Sequence, residues 1–207
     1  MEKIMETVDG GLYSAIIPFS AWKETIGKMR YEIFVELLGW VKGDPTARIE
    51  LDEYDEEATH LAVFRRDEKE IISYARILEK NPRTSIMLEN DTFKKLLPAG
   101  FVIPASSIEV SRLCRRGKYA GLTGMKANLL VFRAVLLYAE TSGYEEIFAI
   151  ADTKDARGYS HVDFLLKHFT SFKKIGHPLF FQKGVETWAM TLTTAGLRND
   201  LKKYENI

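Results

Sequence analysis

The chain has a single cysteine, no long apolar run and no net charge, and each shortage excludes a class of protein. Cys114 alone cannot form an intrachain disulfide, which favours a reducing compartment. No apolar run reaches the roughly 18 residues that cross a membrane, and residues 1–10 carry charges without the apolar core of a signal peptide. Lys+Arg and Asp+Glu both number 29, so net charge gives no reason to expect nucleic-acid binding. These features predict a cytoplasmic protein with no membrane span and no nucleic-acid partner.

The chain has instead enough apolar residues for a sizeable core, together with an uneven distribution of charge. Of its 207 residues, 46% are hydrophobic and 12% aromatic, which suits one globular domain over residues 1–207. Residues 44–57 hold seven acids against one base, whereas residues 112–174 hold eleven bases against six acids. The second segment therefore predicts a surface that could meet an acidic partner.

The periodicity of apolar residues predicts an alternation of strands and helices. Strands are predicted over 13–19, 107–113, 146–151 and 184–193, a hairpin over 60–64 and 71–78, helices over 22–37, 124–142 and 159–169, and a short helix over 91–97 capped by Asp91. Residues 41–57 are predicted to form a long loop, and such loops are often lids or ligand-binding segments. The tail over 195–207 is predicted to be helical or frayed. This order predicts an α/β sandwich around a mixed sheet.

The acidic loop is a candidate binding site for a cation. Asp52 and Asp55 flank Tyr54, and the aromatic side chains of Phe34 and Trp40 precede them. Carboxylates and aromatic faces both attract a sulfonium or ammonium group. The alternatives are a solvated charge run for the two aspartates and ordinary core packing for the two aromatics.

Two arginines are candidate partners for charged groups in the same loop or in a ligand. The guanidinium of Arg30 can hold a carboxylate through two parallel hydrogen bonds, or it can pair locally. Arg76 lies near the end of an apolar strand, where it must reach solvent or find a partner. It is either an edge-strand arginine or a charge partner for the acidic loop or Glu109.

Glu109 is the strongest candidate for proton transfer, because it interrupts the apolar run of a predicted strand. The alternative is a glutamate on the solvent face of that strand. Glu109 and Ser111 lie on one face of a regular strand and Arg112 on the other. Glu109 and Arg112 can serve one site only if the strand bulges or ends between them, and on that condition a bulge is predicted between Val110 and Leu113. Free amides at such a bulge could polarise a carbonyl group.

The stretch after this strand carries glycines and bases without a recognised phosphate-binding spacing. Six basic residues here and beyond are candidates for meeting an acidic partner or, alternatively, form a solvated basic surface: Arg115, Arg116, Lys118, Lys126, Lys154 and Arg157. No metal site is expected, since His161, His168 and Cys114 show no ligand spacing.

Eight of these positions fall in an order and spacing that resemble the acyl-homoserine-lactone synthases, the autoinducer synthases of the GNAT acyltransferase superfamily. They are Arg30, Phe34, Trp40, Asp52, Asp55, Arg76, Glu109 and Arg112. The resemblance implies a GNAT-like three-layer α/β/α sandwich around a central mixed, mostly antiparallel twisted sheet. It also implies a mobile substrate-binding arm over roughly residues 1–57. The strand Glu109–Leu113 departs from the usual Glu-Ser-Ser-Arg-Phe pattern.

The resemblance implies an acyltransferase that makes N-acyl-homoserine lactone, a quorum-sensing signal. S-adenosylmethionine would be the acceptor substrate, held by the first six of those positions, and acyl-phosphopantetheine on acyl carrier protein would be the donor. No tightly bound cofactor is expected. Glu109, with Ser111 and Arg112, would carry the catalysis, and the six basic residues would receive the carrier protein. Two alternatives stay open: an N-acyl amino acid synthase, which the segment 158–165 resembles, and a non-catalytic GNAT-fold ligand-binding protein.

Overall fold

A computed structural model describes residues 11–66, 68–81, 84–119, 121–153, 160–180 and 184–205. In chain order, the α-helices and strands of these residues are β1 (Leu12–Ile17), α1 (Phe19–Arg30), β2 (Thr59–Arg65), β3 (Glu68–Glu79), β4 (Ser107–Arg115), α2 (Gly121–Ser142), β5 (Glu146–Asp152), α3 (His161–His168), β6 (Lys173–Phe180), β7 (Glu186–Thr193) and α4 (Thr194–Lys202). A π-helix, Tyr31–Leu37, continues α1, and three short 3₁₀ turns lie at Asp55–Glu57, Met87–Glu89 and Phe93–Leu96.

The strands form one mixed, open sheet in the order β1-β2-β3-β4-β5-β7-β6. β4 and β5 are parallel, whereas the β1–β2, β2–β3, β5–β7 and β6–β7 pairs are antiparallel. A connection between parallel neighbours needs a crossover, and α2 supplies it. The predicted α/β class and the mixed, mostly antiparallel sheet are confirmed.

The chain divides into two compact units, and β3, β4 and α2 each contribute to both. The described part of unit 1 comprises residues 11–66, 68–77, 112–119 and 121–137. In it, β1 pairs with β2 in a register that sets Leu12 opposite Arg65 and Ile17 opposite His60. The buried face of α1 and the π-helix lies in the same apolar cluster as side chains of β1–β3, and the cluster includes Ile26, Met29, Ile33, Phe34 and Tyr74.

Unit 2 comprises the described residues among 78–111 and 138–205. Here β7 pairs with β5 on one side and β6 on the other. The C-terminal helix α4 begins where the side chain of Thr193 accepts a hydrogen bond from the amide of Gly196. Leu197 and Leu201 are buried, so the predicted helical tail is a packed helix rather than a frayed end.

Strand β6 was missing from the predicted order, because its sequence carries loop signals. Gly176 and Pro178 interrupt it, and the pairing register with β7 shifts between Ile175 and Leu179. Gly176 has φ +64°, and a Cβ there would lie 2.0 Å from the carbonyl oxygen of Leu96. Proline and glycine are tolerated in an edge strand at such an irregularity.

Two further predictions concern the short helix after Asp91 and the N-terminal arm. The segment after Asp91 forms a 3₁₀ turn rather than a capped α-helix. The side chain of Asn90, and not that of Asp91, accepts hydrogen bonds from the backbone amides of Thr92 and Phe93. The predicted arm over 1–57 stays a prediction as to its mobility. Its residues 11–57 belong to unit 1, and β1 and α1 are partly buried there.

Helix α2 is long and apolar enough to cross a membrane by length and composition alone. Half of its most apolar window is nevertheless buried inside the protein. A core helix that is apolar on most sides gives the same signal.

Candidate functional site

The first element of the candidate site is the junction at which α1 passes into the π-helix. Arg30 is the last residue of α1, and Phe34 lies in the π-helix that follows. π-helical turns are rare and are found frequently at functional sites. At this junction the Arg30 side chain is fully buried within unit 1.

The acidic loop lies close to α1 because Gly27 has no side chain. The amide of Glu50 donates to the carbonyl of Gly27 at 3.0 Å. A Cβ at Gly27 would lie 2.7 Å from Cγ2 of Ile49, so any larger residue would push the loop away. Gly27 thereby lets Glu50 reach Arg30.

Arg30 and Arg76 bind the acidic loop from two sides. The Nε of Arg30 donates to Glu50, and its Nη1 donates to Oδ1 of Asp55 at 2.5 Å. The Nη1 of Arg76 donates to Asp52 and, at 2.8 Å, to the same Oδ1 of Asp55. Asp55 is therefore shared by two guanidinium groups.

Arg112 completes the arrangement from β4. Its Nη2 donates to Oε1 of Glu50 at 3.0 Å and to Oδ2 of Asp52 at 2.9 Å. The group of Arg30, Arg76, Arg112, Glu50, Asp52 and Asp55 is called the ionic cluster below. Its three arginines and three carboxylates balance in charge, as a buried ionic group requires.

The pKa shifts of Asp55, Arg30 and Arg76 favour the charged forms of these three side chains. Burial by itself would raise the pKa of Asp55, but Arg30 and Arg76 outweigh burial and hold that pKa below its ordinary value. Burial would lower the pKa of Arg30, but its hydrogen bond to Glu50 and the nearby carboxylates raise it instead. The pKa of Arg76 is raised in the same way by Asp52 and Asp55.

Burial divides the cluster into a core and a rim. The side chains of Arg30, Arg76, Glu50 and Asp55 are at most 2% exposed. Those of Arg112 and Asp52 are 14% and 16% exposed, and the two are joined by a hydrogen bond. The Arg112–Asp52 pair is therefore the part of the cluster that solvent reaches, and the core pairs lie beneath it.

The aromatic residues predicted for the site lie beside the cluster and also pack in the core. Phe34 is buried and stacks on Trp40 with ring centroids 6.0 Å apart. The guanidinium carbon of Arg112 lies 5.8 Å from the Phe34 ring centroid, and that of Arg76 lies 5.6 Å from Tyr54. Phe34 therefore has the ordinary packing role and also lies beside the Arg112 guanidinium, while its predicted role beside a ligand cation stays a prediction.

Behind the cluster lies a buried histidine that contacts the backbone of Asp55. His60 is 1% exposed, and its Nε2 lies 2.8 Å from the carbonyl oxygen of Asp55. Its Nδ1 lies 2.7 Å from the hydroxyl of Tyr74, and its ring stacks on Phe19 at 4.5 Å. Burial lowers the pKa of His60, against the opposing effect of Asp55.

Glu109 lies in unit 2, on the part of β4 that pairs with β5. It is fully buried, and its Oε2 accepts the amide of Leu88 at 2.9 Å. The alternative of a solvent-facing strand glutamate is therefore wrong. Ser111, two residues along the strand, is also buried.

The predicted distortion of β4 lies at Arg112. Arg112 has φ +53°, a left-handed conformation that is uncommon for any residue but glycine. The described pairing of β4 with β5 begins where Ser107 lies opposite Glu146 and ends where Val110 lies opposite Ala149, two residues before Arg112. Such strained positions are enriched at functional sites.

The basic stretch after β4 is engaged with acids of unit 1. Arg116 contacts Glu32 at 2.7 Å and Glu70 at 3.4 Å, and Lys118 contacts Glu70 at 2.6 Å. Arg115 donates to the carbonyl of Tyr119. Lys118 remains largely exposed and Lys126 is half-buried. Lys154 and Arg157 lie outside the described residues.

The structure brings together five predicted residues, namely Arg30, Asp52, Asp55, Arg76 and Arg112, and adds Glu50 and His60. Glu50 was missed because it is one of seven acids in its segment. Its position between the apolar residues Ile49 and Leu51 was the available signal. His60 lies in an apolar strand, and nothing in the sequence connects it with Asp55.

Thiol and metal chemistry have no support in the described ranges. Burial raises the pKa of Cys114 to about 12, which leaves little thiolate near neutral pH. No cluster of three or more His, Cys, Asp or Glu side chains suited to a metal ion is present in the part of the chain that the structure describes.

Comparison with known proteins connects this arrangement to acyltransferases. Residues 29–129, just under half of the chain, match the family model of the acetyltransferase (GNAT) domain. No curated protein matches the chain.

Several solved structures share the fold. TofI, solved in a ternary complex with an inhibitor and MTA, matches with a TM-score of 0.70 and 19% identity over 92% of this chain and 96% of its own. BjaI, a CoA-dependent acyl-homoserine lactone synthase solved with SAM and isopentyl-CoA, matches with a TM-score of 0.66 and 19% identity over 89% of this chain and 82% of its own. FeeM, an N-acyl amino acid synthase from uncultured soil microbes, matches with a TM-score of 0.62 and 11% identity over 93% of this chain and 98% of its own. At these identities the similarity shows the fold, so the GNAT fold predicted from the sequence is confirmed.

The ionic cluster makes a prediction about stability. Replacement of Glu50 by Gln leaves the buried Arg30 with less compensating charge, and we expect a loss of about 3–5 kcal/mol in the free energy of unfolding. Glu36→Gln is the matched control, because it breaks an exposed pair with Arg48 and should cost about 0–1 kcal/mol. Denaturant unfolding of both variants measures the difference. Equal losses would show that the cluster contributes no more than a surface pair.

Proposed function

We propose that this chain, an acyltransferase with the GNAT fold, joins an acyl group to the amine of S-adenosylmethionine and closes the product to N-acyl-homoserine lactone. The acyl donor in this proposal is acyl carrier protein, which presents the acyl group as a phosphopantetheine thioester. The observation that carries the proposal is the Arg112–Asp52 pair at the rim of a buried, charge-balanced cluster.

This pair matches the charges of an α-amino acid. A substrate carboxylate can replace Asp52 as the partner of Arg112, and a substrate ammonium can replace Arg112 as the partner of Asp52. The exchange leaves no buried charge without a partner, which keeps the cost of opening the pair low. The remaining cation of S-adenosylmethionine, its sulfonium, is attracted by an aromatic face such as that of Phe34 or Trp40.

The fold relatives are consistent with this acceptor. The BjaI structure contains SAM together with isopentyl-CoA. The TofI structure contains MTA, the methylthioadenosine that S-adenosylmethionine releases when its bond between sulfur and the γ-carbon breaks. The carboxylate-rich loop and the aromatic pair supply the groups that such a substrate needs. These observations support S-adenosylmethionine as the acceptor, and they carry no information about the length of the acyl chain.

The reaction proceeds in two steps. In the first, Glu109 takes one proton of the substrate ammonium, and the freed amine attacks the thioester carbonyl. The C–S bond of the thioester then breaks, and the leaving thiolate takes the second proton from the new amide nitrogen. The backbone turn at Arg112 is the proposed source of an amide that stabilises the oxyanion. In the second, the substrate carboxylate attacks its own γ-carbon, and the C–S bond breaks so that its electron pair neutralises the sulfonium. This step needs mainly positioning.

A second candidate is an N-acyl amino acid synthase. The Arg112–Asp52 pair accounts equally for a free α-amino acid, and FeeM shares the fold. This enzyme would carry out the first step alone.

Product analysis separates the two candidates. Purified protein is supplied with acyl carrier protein or CoA carrying the same acyl chain, and with S-adenosylmethionine or a mixture of free amino acids. We expect methylthioadenosine and acyl-homoserine lactone in equal amounts, formed faster from the carrier-protein donor. An acyl amino acid without methylthioadenosine would establish the second candidate, and no transfer to either acceptor would indicate a binding protein.

Acceptor binding depends on the rim pair. Arg112→Lys keeps the charge but loses the planar, two-pronged geometry, and we expect the KM for the acceptor to rise about tenfold while the KM for the donor is unchanged. Arg48→Lys, at an exposed pair, is the control and should change neither constant. An unchanged acceptor KM in Arg112→Lys would remove this residue from the acceptor site.

Proton transfer depends on Glu109. Glu109→Gln keeps the acceptor for the Leu88 amide but cannot take a proton, and we expect kcat to fall by about 10²–10⁴. The loss should shrink as pH rises, because solution then deprotonates the substrate amine. Glu146→Gln, at the start of β5, is the control and should retain full activity. Full activity in Glu109→Gln would favour a different base or a protein without catalytic function.

A further inference from the structure

We propose that His60 is a positioning residue: its neutral imidazole donates from Nε2 to the carbonyl of Asp55 and so holds the Asp52–Asp55 turn in the shape that accepts the substrate. This inference rests on the proposed acceptor site. It concerns a residue that touches neither the substrate nor the reacting atoms.

The hydrogen bonds of His60 fix its tautomer. A carbonyl oxygen only accepts, so the Nε2 that lies 2.8 Å from the Asp55 carbonyl carries the hydrogen. In the neutral ring Nδ1 is then the acceptor, and the hydroxyl of Tyr74, 2.7 Å away, donates to it. Both ring nitrogens are satisfied in the neutral form.

The bond to Asp55 bears on the whole turn. The amide of Asp55 donates to the carbonyl of Asp52 at 3.2 Å, and the amide of Asp52 donates to Oδ2 of Asp55 at 2.8 Å. The Asp52 backbone, which carries the rim carboxylate, is thus held by Asp55, and the Asp55 backbone is held by His60. A shift of this backbone would move the carboxylate proposed to meet the substrate ammonium.

Protonation of His60 would work against this arrangement. A proton on Nδ1 would face the Tyr74 hydroxyl, and the new charge would lie near Arg30 and Arg76, with Asp55 opposing them. Burial, Arg76 and Arg30 all lower the pKa of His60. The unfolded chain therefore takes up this proton first, so the contribution of His60 to stability is complete above the ordinary imidazole pKa of about 6.5 and declines as pH falls below it.

Amide hydrogen exchange tests the positioning role without any substrate. In His60→Ala we expect the amides of Asp52 and Asp55 to exchange about tenfold faster, the effect of one lost buried hydrogen bond. In His60→Gln the amide nitrogen can replace Nε2 as donor to Asp55, so protection should be largely restored. His168→Gln is the matched control, because His168 makes a similar hydrogen bond to Tyr204 elsewhere in the chain and should leave the turn unchanged.

Kinetics test the consequence for the acceptor. His60→Ala should raise the acceptor KM about five- to tenfold with little change in kcat or donor KM, and His60→Gln should restore it. The wild-type acceptor KM should rise only as pH falls through the lowered pKa of His60, which lies below the ordinary imidazole value, and this rise should be smaller in His60→Gln, which does not titrate.

The outcomes separate failure of the inference from failure of the proposed function. If neither acceptor is acylated, but the Asp52 and Asp55 amides exchange faster in His60→Ala and are protected again in His60→Gln, the positioning role stands and the proposed function fails. If His60→Gln exchanges as fast as His60→Ala, or if ¹⁵N spectra show the hydrogen on Nδ1, the positioning role is overturned whatever the acceptor. Tyr74→Phe, which removes only the donor to Nδ1, provides a second variant if His60→Ala does not fold.

Discussion

The buried guanidinium of Arg30 is the interaction on which the rest of the candidate site depends. A charge at this depth is tolerated only because Glu50 and Asp55 both bind it. These two carboxylates come from a segment with little regular structure, so the same bonds that neutralise Arg30 also determine where that segment lies. Arg76 and Arg112 then bind oxygens of the same carboxylates and of Asp52, and a loop becomes a defined surface.

This arrangement separates the residues that shape the site from those that face a ligand. The fully buried pairs balance one another in charge and are closed to solvent. Under the proposed function, specificity would therefore belong to the partly exposed Arg112 and Asp52 and to the neighbouring aromatic faces. The family pattern predicts substrate contact for all six binding positions, and that prediction stays untested; in the structure Arg30, Arg76 and Asp55 are fully buried and bind one another.

The order of most strands and helices was predictable, because apolar periodicity reports burial directly. The convergence of Arg30, Asp52, Asp55 and Arg76 followed from a family pattern and not from any physical signal in the chain, since residue spacing does not reveal which charges pair. Glu50 was hidden among other acids, and His60 resembled any polar residue in a strand. The β6 strand was missed because its glycine and proline indicate a loop unless the irregular pairing with β7 is known.

That irregularity has a consequence for the free protein in concentrated solution. A sheet edge exposes unpaired amides and carbonyls that can extend onto a neighbouring molecule. In β6, which ends the sheet order, Pro178 lacks an amide hydrogen and the backbone turns at Gly176, so the regular row of donors that cross-molecule strand addition requires is broken. The strand is thus built to discourage edge-to-edge self-association. Replacing Gly176 and Pro178 by residues that favour a regular strand would restore the row of donors.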